Sequence, residues 1–245
     1  MNNALLSITF KSLYNGGFMS LLTADSQGLL FVIFASAVFL SAIVGYLLGS
    51  VNSSIIISRV LYRDDVRSHG SGNAGMTNML RTYGTASAGL TLLGDVLKTV
   101  IAVFCGAMIC GAGLGGYVAG TLCVFGHIFP IYYKFRGGKG VLCAATMIAM
   151  LSPWVFLICF GFFLIIVLCT RYVSLGSVIG AATYPLLLIR LYGNGIGNVF
   201  AVIVAVLIII CHRKNLGRLW RGEESKISFK RKGSANAEKT DGEDK

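Results

Sequence analysis

Charge is scarce in this chain. Lysine and arginine number 21 and the carboxylates only 10, so 13% of the 245 residues are charged while 55% are hydrophobic. A soluble domain of this size needs far more polar surface to stay hydrated, and a mean hydropathy of +0.75 excludes one. Histidine is rarer still: His69, His127 and His212 are the whole complement, and each lies in a short polar stretch at the edge of an apolar segment. The seven cysteines include no C-x-x-C pair and stand beside no histidine ligand set. They read as small buried hydrophobes in a reducing context, and neither a metal nor any other cofactor is expected. Residues 1–28 lack a basic n-region and a small-residue cleavage site, so no cleaved signal peptide is expected.

What the chain has in quantity is apolar sequence. A helix crosses a hydrocarbon core of about 30 Å with about 20 apolar residues, and candidate spans lie at 29–48, 86–110, 113–133, 141–152, 153–171, 174–190 and 196–212. The unbroken run from Val141 to Thr170 is too long for one crossing, so a tight turn at Ser152 and Pro153 divides it. The expected fold is an all-α polytopic membrane protein, a bundle of about seven transmembrane helices. Residues 1–28 read as an N-terminal extension, 29–227 as the membrane domain and 228–245 as a disordered tail. Short cytoplasmic loops carry the excess of Lys and Arg. With the N-terminus outside and the C-terminus cytoplasmic, the inner loops hold Arg59, Arg63, Arg67 and Arg81, then Lys134, Arg136 and Lys139, then Arg171 and the basic tail, while Lys11 and Arg190 remain outside. The net charge of +11 thus reflects topology and attraction to an anionic leaflet of the lipid bilayer, with no nucleic-acid partner.

The polar stretches carry the chemistry. Gly70-Ser-Gly-Asn-Ala-Gly75 spells G-x-G-x-x-G, yet it follows a charged loop between membrane segments, whereas a dinucleotide fingerprint follows a buried strand. The physics that remains is anion binding. Gly70 and Gly72 let backbone curl toward a phosphate, Ser71, Asn73, Thr77 and Asn78 add donors, and Arg81 adds a guanidinium fork. Gly137, Gly138 and Lys139 resemble the end of a P-loop, but Tyr133 stands where a glycine is required and Gly140 where Ser or Thr must hold Mg²⁺. A compact cationic nest with Arg136 is left at the mouth of the 141–152 helix. His127 is either a packed interfacial histidine or a ligand-binding one. Asp95 and Lys98, three apart on one helical face, form an intramembrane pair expected to be structural. Ser174 shares a helix face with Ser177, and His212 shares one with Asn215.

In this order the motifs resemble the PlsY family, the acyl-phosphate:glycerol-3-phosphate acyltransferases of bacterial membranes. The resemblance rests on Gly49-Ser50, the 70–78 stretch with Arg81, Asp95-x-x-Lys98, Gly126-His-x-Phe-Pro130, Phe135-x-Gly-Gly-Lys-Gly140, Arg171-Tyr-Val-Ser-Leu175 and His212-Arg-x-Asn215 with Glu224. It covers roughly residues 35–227. It implies seven membrane helices and transfer of a fatty acyl group from acyl phosphate to the 1-hydroxyl of glycerol 3-phosphate, on the cytoplasmic side of the bacterial inner membrane. The substrates are then acyl phosphate and glycerol 3-phosphate, with Ser71, His212 and Asn215 as catalytic residues. Gly70, Gly72, Asn73, Thr77, Asn78, Arg81, His127, Gly137, Gly138, Lys139, Ser177 and Glu224 are the substrate-binding set. The chain departs from the family at Asn52, where Pro is usual, and at Met76, Arg136, Cys211 and Lys214. The His-x-x-x-x-Asp pair of other glycerolipid acyltransferases is missing, since the fifth residue after each histidine is Ala74, Tyr132 or Gly217. A transporter of phosphorylated metabolites is the competing class; it predicts broken helices near the midplane, whereas these motifs gather at one interface.

Overall fold

The computed structural model describes residues 16–17 and 27–227, which contain helices and no strand. The expected N-terminal extension therefore falls almost entirely, and the 228–245 tail wholly, outside the described residues. Ten helices follow: α1 (Gln27–Ser50), α2 (Ser53–Tyr62), α3 (Met76–Tyr83), α4 (Thr85–Cys110), α5 (Gly116–Ile128), α6 (Val141–Leu151), α7 (Pro153–Thr170), α8 (Val173–Tyr192), α9 (Ile196–Cys211) and α10 (Arg213–Trp220).

Among the described residues, four stretches are long and apolar enough to cross a membrane: Gly28–Tyr62, Thr85–Tyr133, Pro153–Thr170 and Val173–Tyr192. A fifth arises if α9 and α10, bent by 53° at His212, count together. The second of these is a hairpin. The chain turns at Gly111–Gly115, so that Val103 of α4 faces Gly120 of α5 and Lys98 meets His127. At the other expected turn, Ser152 leaves helical geometry with φ −150° and Pro153 opens α7 from its first position, where a missing N–H costs nothing.

Hydrophobicity does not draw helices together in lipid; close backbone approach does. Gly45 and Gly49 of α1 lie against the backbones of Ala119 and Cys123 of α5, and Gly126 lies against Tyr46 and Gly49 in return. A side chain at any of the three would force the helices apart. The interior is built from Val103, Val124, Met147, Val155, Tyr184, Val204 and their neighbours on α4 to α9. Outward faces are apolar as well: Phe31, Phe39, Trp154 and Leu168 are each about two-thirds exposed, an inversion that suits hydrocarbon and not water.

Asn52 has a local explanation. Its side-chain oxygen accepts from Ile55 N at 3.2 Å and caps α2, while its Nδ2 donates to Ala74 O at 3.4 Å. A proline there would supply neither bond. The 63–75 loop is then clamped to the 130–138 loop by Arg67, which holds Asp65 at 2.7 Å and donates to the carbonyls of Tyr133 and Arg136. This guanidinium keeps the Asp65 carboxyl well below the usual carboxylate range.

Candidate active site

One cavity of about 350 Å³ gathers most of the expected site residues: Ser71, Asn73, Thr77, Asn78, Arg81, His127, Lys139, Ser177, His212, Asn215 and Glu224 all line it. Its two ends differ in chemistry. The polar end lies where the 70–78 loop, the start of α6, the start of α8 and the α9–α10 bend converge. The rest is walled by apolar side chains of α6, α7, α8 and α9.

At the polar end, Lys139 Nζ donates to Asn215 Oδ1 at 2.7 Å, and Asn215 Nδ2 donates to Glu224 Oε1 at 2.6 Å. Ser174 Oγ also donates to Oε1, at 2.8 Å, and Arg218 Nε donates to Oε2 at 2.9 Å. The lysine can only donate and the carboxylate can only accept, so this chain fixes the orientation of the Asn215 amide. Burial lowers the pKa of Lys139 to about 8; Glu224 opposes the shift, and Arg218 and Arg81 add to it. Glu224 itself lies below its ordinary value, because the bonds from Asn215, Ser174 and Arg218 outweigh desolvation. Among the described residues, Glu224 pairs with Arg218, while Lys139 and Arg81 have no carboxylate within salt-bridge distance. Arg81, on α3, is exposed and donates only to Ser225 O at 3.3 Å. His212 Nδ1 lies 2.8 Å from Ile208 O. A carbonyl only accepts, so Nδ1 carries a proton and the neutral ring presents Nε2 as a lone pair.

The structure redistributes several expected roles. Asn78 is buried; its Nδ2 donates to Val66 O and His69 O at 2.9 and 3.0 Å, and its Oδ1 accepts from Ser71 N at 3.1 Å. It ties the loop together and keeps no donor for a ligand. Gly70, at φ +55°, leaves room for that Oδ1, which a Cβ would strike. The loop is also a poorer nest than the glycines imply, because the N–H groups of Ser71, Gly72, Ala74 and Gly75 are bonded internally or to Gly137 O. Among the described residues, the N–H groups left open are those of Gly70 and Asn73 within the loop and of Met76 and Thr77 at the start of α3, where no side chain caps the helix. Side-chain groups of Ser71, Asn73 and Thr77 also remain unengaged among the described residues.

Gly137 and Gly138 do not offer their N–H groups either; these donate to Ile128 O and His127 O at 3.1 and 3.0 Å. Their function is close approach. A Cβ on Gly138 would strike the His127 ring, and one on Gly137 would strike His127 O. Ser177 lines the cavity, but its hydroxyl donates back to Val173 O at 2.9 Å. Arg136 faces a separate polar pocket with Arg67 and Lys134.

The Asp95–Lys98 pair is real, at 2.8 Å, and it has partners that spacing did not reveal. Lys98 Nζ lies 2.9 Å from His127 Nδ1 and donates to Val51 O and Gly49 O at 2.8 and 3.2 Å, while Ser53 Oγ donates to Asp95 at 2.9 Å. Asp95 and His127 both reach the cavity wall. Arg218 is a residue that sequence reasoning missed; it meets Glu224 across a turn at Gly222, where no periodic spacing applies.

Comparison with known proteins identifies the family. The glycerol-3-phosphate acyltransferase family matches over residues 39–222. The glycerol-3-phosphate acyltransferase of Thermoanaerobacter pseudethanolicus is 40% identical over 191 residues, 78% of this chain and 96% of the relative. That of Clostridioides difficile is 40% identical over 195 residues, 78% of this chain and 95% of the relative. A crystal structure of PlsY, described as an integral membrane glycerol 3-phosphate acyltransferase in its glycerol 3-phosphate form, superposes with a TM-score of 0.73 at 35% identity, over 79% of this chain and 96% of that one. Its lysophosphatidic acid form superposes at 0.70. Sequence, fold and the meeting of free cations with an apolar cavity converge on one assignment: the chain belongs to the PlsY family of integral membrane glycerol-3-phosphate acyltransferases.

Proposed function

We propose that this protein transfers a fatty acyl group from acyl phosphate to the 1-hydroxyl of glycerol 3-phosphate, yielding lysophosphatidate and phosphate. The observation that carries the reading is the pair of cations without carboxylate partners, Lys139 and Arg81, at the polar end of an otherwise apolar cavity. A phosphate dianion supplies the missing charge, and an acyl chain fills the apolar remainder.

In this scheme Lys139 and Arg81 hold glycerol 3-phosphate. Asn215 aims the ammonium, and Glu224 aims Asn215. Glu224 is a positioning residue, because a carboxylate already engaged by three donors repels a phosphate. Ser71, Thr77 and the N–H groups at the start of α3 face the acyl phosphate and stabilise charge on its carbonyl oxygen. The hydroxyl oxygen attacks the carbonyl carbon, the bond from that carbon to the phosphate oxygen breaks, and the departing phosphate takes the proton. His212 Nε2 is the other acceptor within the site. Phosphate is a good leaving group, so no acyl-enzyme is needed. The reading assigns the chain seven crossings with the N-terminus outside and sets the site at the cytoplasmic face of the bacterial inner membrane, an assignment that the Lys and Arg distribution supports.

The test uses purified full-length protein in detergent with glycerol 3-phosphate and either acyl phosphate or acyl-CoA, measuring lysophosphatidate. Product with acyl phosphate alone is expected. Comparable rates with acyl-CoA would overturn the donor assignment, and no product with either would overturn the activity.

A further inference from the structure

The apolar part of the cavity has a floor. Along α8 its lining residues step inward from Ser177 through Gly180 and Ala181 to Tyr184, and α6 contributes Ala144 and then Ile148. Along α8 small side chains line the upper part and Tyr184 the deepest position, while Phe160 and Phe163 of α7 form the wall above Phe156. The last lining residues of α6, α7, α8 and α9 are Ile148, Phe156, Tyr184 and Val204, and Leu188 and Ala201 fill the space beyond them as solid core. Tyr184 is 1% exposed, the largest side chain buried to that degree among the described residues. Its hydroxyl has no hydrogen-bond partner among the described residues. From Ser177 to Tyr184 is seven residues, a depth of about 10 Å at helical rise.

We infer that Tyr184 is the residue that limits acyl-chain length: its ring ends the apolar channel, and a chain that outreaches it loses buried contact or collides. The inference rests on the proposed function insofar as an acyl group occupies this channel. The ring, and not the hydroxyl, is the determinant, since the hydroxyl is held by no neighbour. The channel is also adjustable from its side. A Cβ at Gly180, which lines the channel, meets only Cys159 O, at 3.6 Å, so a side chain there starts without a backbone clash and narrows the channel above its floor.

Four proteins test this: wild type, Tyr184→Ala, Tyr184→Phe and Gly180→Val. Each is assayed with saturated acyl phosphates from octanoyl to stearoyl. Each is also assayed for thermal stabilisation by lysophosphatidates of the same lengths, a readout that needs no donor. Relative to wild type, Tyr184→Ala should favour the longest chains over the shortest by about tenfold or more, Gly180→Val should move the preference the opposite way, and Tyr184→Phe should keep the wild-type profile; one methylene in a fitted apolar pocket is worth about that much. If turnover is absent at every length but the stabilisation profiles shift as stated, the donor assignment fails and the length limit stands. If turnover is present and neither profile shifts in Tyr184→Ala or Gly180→Val, the length limit is overturned while the activity stands. A shift in Tyr184→Phe as large as in Tyr184→Ala would overturn the ring as determinant. Gly180→Val keeps the test decisive should Tyr184→Ala fail to fold.

Discussion

Two lysines, one buried and one half-buried, sit near the same cavity and are treated in opposite ways. Lys98, 6% exposed, is surrounded by Asp95, His127 and the carbonyls of Gly49 and Val51, so every proton of its ammonium has an acceptor. Lys139, half-buried, has one neutral acceptor, Asn215 Oδ1, and no carboxylate in reach among the described residues. The first charge is neutralised by the protein and holds α1, α4 and α5 together. The second is the charge that the proposed function assigns to a substrate phosphate. A buried charge is costly unless matched, so unmatched charge in a cavity marks a binding site while matched charge marks structure.

The largest effect should come from breaking the matched cluster. Asp95→Ala leaves the Lys98 ammonium without its counter-charge and should destabilise the protein by about 3–5 kcal/mol, seen as a large fall in Tm in detergent. Lys139→Ala should do the reverse, leaving Tm near wild type while kcat/KM for glycerol 3-phosphate falls by roughly 10²-fold or more, the equivalent of about 3 kcal/mol. A Lys139→Ala protein with near-normal kinetics would remove the residue from the site and dissolve the contrast.

A gentler probe is pH. Burial sets the Lys139 pKa at about 8. A phosphate dianion needs the charged form, which predominates below that pH and is lost above it. KM for glycerol 3-phosphate should therefore rise above about pH 8, by up to about tenfold per unit. In Lys139→Arg the guanidinium stays charged, so the alkaline rise should vanish from whatever activity remains. The smallest effect is expected from replacing all seven cysteines with Ala or Ser. Some stability should be lost, because Cys123, Cys143 and Cys159 are buried, but turnover should persist. A folded Cys-less protein without activity would reopen a thiol mechanism.

Much of this was legible in one dimension. Scarce charge and long apolar runs determined an all-helical membrane protein, because lipid leaves backbone polar groups no partner outside the chain. The motif at 70–78, Lys139, His212 and Asn215 were readable as anion-binding chemistry, since glycine, serine and cationic residues at helix edges have few other uses. Which of them keep free donors was not readable. Asn78 and the glycines at 137 and 138 have the right chemistry, yet packing directs their hydrogen bonds inward.

The sequence by itself determined the class of the molecule and the inventory of its polar groups, because composition and local spacing act over one helix or one loop. Only the tertiary structure decided the rest: that Lys98 is saturated while Lys139 is not, that Glu224 accepts from Asn215, Ser174 and Arg218 together, and that Tyr184 lines the deep end of the cavity. These depend on residues brought together by the fold, such as Lys139 and Asn215, 2.7 Å apart, or Ile148 and Tyr184, which belong to one core cluster. No period or motif encodes that juxtaposition; it follows from how the helices pack.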